Sequence, residues 1–233
     1  AHLGSKGFHL VSHTQDMMDS ILEAAGSDCG RLIVLGDVKD SVPGSTKQEY
    51  REIPSFFERL LDHFDSVDVV RGNHDTNIEE FLPGRVNIRP STGITVMDGG
   101  LCHGHTWPSQ KVMSSRILVM GHDHPAVMFK DGVGRRMTEP CWVRGRFKEG
   151  VEDERYPFLP ESFVIVPAFN RMLGGSPVNV IGEPLLGPVM GGGLLDIDDA
   201  ELFLLDGLCL GRRGDMMVTG RDPPRRRPDI GPE

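Results

Sequence analysis

The sequence predicts a layered α/β domain with a largely parallel section, and two patterns carry that expectation. Short apolar runs recur, each closed by a polar cluster: "RLIVLGDVKD" over 31–40, "VDVVRGNHD" over 67–75, "ITVMDGGLCHGHTWP" over 94–108 and "RILVMGHDHP" over 116–125. Helically spaced segments lie between the early runs. Parallel strands joined by helices bring their carboxyl ends together, and ligands collect in the crevice there. All four polar clusters fall at that end.

In chain order, residues 13–25 place Met17, Ile21, Leu22 and Ala25 on one helical face. Leu32 to Leu35 form a buried strand stopped by Gly36-Asp37. Residues 51–64 repeat the helical spacing with Ile53, Phe57, Leu60, Leu61 and Phe64. Asp65 and Ser66 then lead into the strand Val67 to Val70. His103 follows Leu101 and Cys102, and Gly121-His122-Asp123-His124 follows the strand Ile117 to Met120. "SFVIVPAFNRMLGG" over 162–175 reads as a further strand turned by Pro167 and closed by a glycine pair. "AELFLLDGLCLGRRG" over 200–214 reads as two strands joined at Asp206-Gly207. Residues 134–160 mix charge, proline and aromatics and show no period, while "RDPPRRRP" over 221–228 reads as a disordered basic tail.

Composition narrows the function classes. A chain of 233 residues with 38% hydrophobic content can bury a sizeable core. A net charge of −9, from 25 basic and 34 acidic residues, argues against a surface that coats nucleic acid, although bound divalent cations would reverse the field locally. Cys29, Cys102, Cys141 and Cys209 form no C-x-x-C pair, so a zinc knot or dense disulfide framework is not expected, and reduced thiols point to the cytoplasm. No apolar run reaches the roughly 18–20 residues of a spanning helix, so no membrane association is expected.

Together the clusters supply His2, Asp37, Asn73, His74, His103, His122 and His124. Mixed imidazole and oxygen donors suit Mn, Fe, Zn or a mixed pair better than Ca or Mg alone. "GDVKD", "GNHD", "CHGH" and "GHDHP", in this order, resemble the signature blocks of the calcineurin-like metallophosphoesterases over roughly residues 1–125. "AHLG" at the start and "VIVPAFNRMLGGSPVN" over 164–179 resemble the compact prokaryotic, DNA ligase-associated type. The resemblance implies two packed mixed β-sheets flanked by helices in a four-layer sandwich. It also implies a single domain over 1–220, with residues 126–220 shaping the cleft and capping the second sheet, and a tail over 221–233.

The same resemblance implies hydrolysis of phosphoester bonds, phosphodiesters favoured, at two divalent metals, Mn first, with Fe, Zn or Ni as alternatives. Nucleic acid or nucleotide-like substrates and DNA-repair partners follow from it. Asp37 would bridge the metals. Asn73, His103 and His122 would complete one, and His2 and His124 would serve the other. His74 would contact the phosphate and protonate the leaving oxygen, with Asp75 holding its ring. The alternative is a non-catalytic scaffold of the same fold, or a metal-binding interaction module. The family's first block is Asp-x-His, and its Asp would directly precede Ala1. A start placed too late or a fragment is the expected reading, with a central strand and a first-metal ligand wanting; a native gap would imply one-metal binding or lost activity.

Neighbouring residues carry two readings each. Arg71 could reach a phosphate or close a salt bridge, and His105 could contact substrate or bond its own turn. Trp107 could stack on a base or sugar, or shield the rim. Asp40 could cap the following segment or support the metal loop.

Overall fold

The structure, a computed structural model, describes residues 14–40 and 44–220; His2 and the basic tail lie outside them. Helix α1 (Thr14–Ala25) leads to strand β1 (Arg31–Val34), helix α2 (Lys47–His63) and strand β2 (Ser66–Val70). A 3-10 turn over Ile78–Glu80 precedes β3 (Asn87–Arg89). Strands β4 (Ile94–Val96) and β5 (Gly99–Cys102), helix α3 (Gln110–Met113) and β6 (Ile117–Met120) follow. Next come β7 (Pro125–Lys130), β8 (Arg136–Arg146), β9 (Ser162–Ile165), β10 (Ser176–Pro177) and β11 (Val180–Ile181). Helix α4 (Pro188–Gly191), β12 (Glu201–Leu204), β13 (Cys209–Arg212) and β14 (Val218–Thr219) complete the order.

Helix α2 starts four residues ahead of its apolar pattern because its cap lies outside that pattern. The Thr46 hydroxyl accepts from Glu49 N at 3.1 Å, and the Glu49 carboxylate accepts from Thr46 N at 2.6 Å, a reciprocal capping box. Ile53, Phe57 and Leu60 then form the buried stripe. Strand β2 holds a buried charge, Asp68, inside its apolar run. Arg31 Nε from β1 donates to it at 2.8 Å and Arg89 Nε from β3 at 2.5 Å, so the carboxylate is paired from both neighbouring strands. Removing one partner of such a carboxylate costs more than the pair contributes.

Among the described residues two main sheets and a two-stranded pair, β11-β14, result, with helices outside, as expected. The first, β1-β2-β3, is parallel throughout because helix α2 and the 3-10 segment carry the chain back between its strands. It packs with α1 and α2 around a core that includes Met18, Phe57, Leu60, Val67, Val69 and Phe81. The second sheet is mixed, in the order β10-β7-β8-β9-β6-β5-β4, with β12 on β8 and β13 on β12. A separate core beneath it includes Leu118, Met120, Val143, Phe163, Ile165 and Leu202. Its α3 and α4 are single turns. The aperiodic stretch 134–160 contains the longest strand, β8, whose burial alternates only in part because it is shared between β7, β9 and β12. "ITVMDGGLC" is a hairpin, β4 and β5, turned at Met97-Asp98. Among the described residues no helix is long and apolar enough to cross a membrane.

Burial divides the thiols. Cys102 and Cys141 are buried and their pKa values are pushed up to about 12 by burial, whereas Cys29 and Cys209 are exposed. Titration of the native protein with an aromatic disulfide near pH 8 is expected to show two fast thiols, the other two reacting only after denaturation. Four fast thiols in the folded protein would contradict this core.

Candidate metal centre

The four polar clusters meet between the sheets. Asp37 follows β1, Asn73 and His74 follow β2, His103 follows β5 and His122 follows β6. Each sheet therefore contributes two strand ends, and the crevice lies beyond their carboxyl ends.

The two turns of the first sheet are latched to one another. Asp75 is fully buried, and its carboxylate accepts Asp37 N at 2.8 Å, Val38 N at 2.9 Å, Lys39 N at 3.3 Å and Gly72 N at 2.8 Å. In return Asp37 Oδ1 accepts His74 N at 3.0 Å. These turns approach closely enough to require glycine. A Cβ on Gly36 would sit 2.7 Å from Gly72 N and 2.8 Å from His103 Nδ1, and one on Gly72 would collide with Asp37. Asp37, His122 and His124 hold left-handed backbone at φ 53°, 66° and 44°. Non-glycine residues adopt that region rarely, and it concentrates at sites where surrounding structure enforces it.

His103 is the centre of the cluster. Its Nδ1 lies 2.5 Å from the Leu35 carbonyl oxygen, which can only accept, so Nδ1 carries the proton. Nε2 then faces inward, 3.1 Å from Asn73 Oδ1, 3.3 Å from Asp37 Oδ2 and 3.2 Å from His122 Nδ1. In the neutral ring that nitrogen is a lone pair facing the Asn73 and Asp37 oxygens, an arrangement that a cation would satisfy. Asp37, His103 and His122 offer ligand atoms all within 4.8 Å of one another. The pKa values describe the same competition. Burial works to lower that of His103 but the Asp37 carboxylate raises it on balance; burial works to raise that of Asp37 but His103 lowers it. Burial and then the His103 charge hold His122 down at about 4. The donor chemistry, a carboxylate, an amide oxygen and two imidazoles, fits a borderline divalent ion.

The remaining candidates divide. His124 stays outside that triad but feels the charges of Asp37, His103 and His74. His105 packs edge-on against His103 with ring centroids 5.1 Å apart, and its buried Nδ1 has no hydrogen-bond partner. The expectation that Asp75 holds the His74 ring is corrected: His74 Nδ1 meets the Asp40 carbonyl oxygen at 3.1 Å, because the Asp75 carboxylate is taken by backbone amides. Arg71 donates to the Asp75 carbonyl at 3.1 Å and pairs with Glu79, the salt-bridge reading. Trp107 is covered by the Arg155 guanidinium, 3.4 Å from its ring centroid, which leaves that face no base to stack on. Asp123 was not singled out by the sequence patterns, yet it is buried between His122 and His124. One of its oxygens lacks a partner, and burial pushes its pKa up to about 7. Its place inside "GHDHP" is the only sequence signal for it.

No family model matches this chain, and the comparison with curated proteins finds no relative. Among solved structures, the nuclease MPE of Pseudomonas putida is similar at 17% identity and a TM-score of 0.49, over 84% of this chain and 78% of that one. A likeness of that degree leaves the chemistry to the site's own geometry.

Replacing Asp75 by Asn would turn an amide NH2 toward backbone N–H donors. Each buried group left unpaired costs about 1–3 kcal/mol, so Asp75→Asn is expected to lose at least about 2 kcal/mol in urea unfolding. A wild-type midpoint would show that the latch is not structural.

Proposed function

We propose that this chain hydrolyses phosphoester bonds in a metal-dependent reaction, with phosphodiesters of nucleotides or nucleic acid as the favoured substrates. The observation that carries the reading is the convergence of Asn73 Oδ1, Asp37 Oδ2 and His122 Nδ1 on the unprotonated face of His103. The four motif blocks and their family resemblance support it. Asp37, Asn73, His103 and His122 would hold one ion, and His124, with His2 from outside the described residues, would serve a second. Manganese suits this mixture of imidazole and oxygen donors. Divalent ions bound there would supply positive charge at the phosphoryl oxygens and acidify a water.

The chain's own residues do the rest. Asp37 is held on one oxygen by His74 N, which leaves its other oxygen for the metal side. His74 is fixed through Nδ1 by the Asp40 carbonyl, so Nε2 is the atom free to deliver a proton to the departing oxygen. An alkoxide leaving from a diester is basic and needs that proton. His105, with its unpartnered Nδ1 beside His103, serves as a substrate contact. Arg71 does not, because Glu79 and the Asp75 carbonyl occupy it.

With manganese, bis-p-nitrophenyl phosphate is expected to be turned over and chelator to abolish that turnover. Asp37→Asn and His122→Ala are expected to weaken Mn binding measured by calorimetry. His74→Ala is expected to keep metal binding and lower kcat by roughly 10²–10⁴. A folded, metal-loaded chain that hydrolyses no ester would overturn the reading in favour of a metal-binding scaffold.

A further inference from the structure

The loop that leaves the mixed sheet beside the metal cluster exposes an aromatic ring and an arginine that neither the core nor the site uses. Phe169 is 53% exposed, and Met172 and Leu173 beside it are 51% and 41% exposed. Arg171 is exposed and has no hydrogen-bond or ion-pair partner among the described residues.

The loop is pinned to the cluster at both ends. Val166 N donates to Met120 O at 2.8 Å, one residue before Gly121-His122, and Ser176 N donates to His124 O at 2.8 Å. Gly175 closes onto the same turn: a Cβ there would lie 2.5 Å from Ala126 Cβ and 3.1 Å from His124 O. Three residues of chain reach at most about 11 Å, so Phe169 stays within that span of the Val166 anchor. The Leu186 backbone also reaches Asp123, and Leu186 is 45% exposed. Two segments that bond to the turn region, 166–176 and the one at Leu186, thus carry exposed apolar residues. In a chain of net charge −9, an unpaired arginine beside them provides local complementarity to an anionic polymer.

Resting on the phosphodiesterase reading, we infer that Phe169 and Arg171 grip an unpaired strand next to the scissile phosphate, the ring stacking on a base and the guanidinium meeting a flanking phosphate. Stacking requires an exposed base face, so the loop selects single strands over duplex. Phe169 and Arg171 are positioning residues; the chemistry stays with the cluster.

The test is fluorescence anisotropy of labelled oligothymidine with full-length Mn-loaded protein, in a His74→Ala background to prevent turnover. Phe169→Ala is expected to weaken binding about fivefold to a hundredfold, and Phe169→Trp to restore it. Arg171→Gln is expected to flatten the salt dependence by about 0.7 in slope. A matched duplex is expected to bind more weakly than the single strand. Wild-type turnover of bis-p-nitrophenyl phosphate tests the parent reading separately. Turnover with strand binding unaltered by Phe169→Ala, or with no strand binding at all, overturns the loop assignment and leaves hydrolysis standing; in the second case a protein partner is the occupant to pursue. Absence of turnover overturns both.

Discussion

Asp75 accepts backbone N–H groups from the turn after β1 and from the turn after β2, and the placing of Asp37 and Asn73 in the cluster depends on that arrangement. A carboxylate buried without such donors would be costly; four amides satisfy it and neutralise its charge by dipoles rather than by a cation. The two turns are thereby held at the separation where Asp37 meets His103, with the second sheet joined to them by the bond from His103 to the Leu35 carbonyl. Glycines 36 and 72 are consequences of the same closeness, since a methyl group at either would push the turns apart.

Strain and burial at the ligand positions are consistent with a site organised before any ion arrives. Left-handed backbone at Asp37, His122 and His124 costs of the order of 1–3 kcal/mol each unless surroundings enforce it. The enforcing contacts are visible for Asp37, whose N–H and carboxylate are both engaged across the latch. A donor set fixed by backbone bonds loses little freedom on binding metal, which is what affinity at a small site requires.

An acidic protein with the proposed function would need positive charge supplied locally. The cluster would do this only when loaded, because its own groups are a carboxylate, an amide oxygen and imidazoles. Elsewhere near the site the arginines are spent: Arg71 on Glu79, and Arg155 on Asp153 and the face of Trp107. Arg171 stands apart in having no such partner among the described residues.

The sequence by itself determined the strand–helix order and the ends at which polar residues gather. Apolar periodicity and glycine stops are local properties, and "GDVKD", "GNHD", "CHGH" and "GHDHP" sit at the ends of the strands they were expected to follow. The β4–β5 hairpin and the long β8 were not legible there, because burial on those strands comes from neighbours far along the chain. Tertiary structure alone decided which polar residue does what. Asp75 and Asp37 are both carboxylates in short turns, yet one is consumed by amides and the other faces the cluster. His74 finds a carbonyl from residue 40 rather than the carboxylate beside it. Those assignments depend on which backbone amides and carbonyls two separate loops bring within 3 Å or so of each other, and hydrogen bonds between loops leave no periodicity in a sequence.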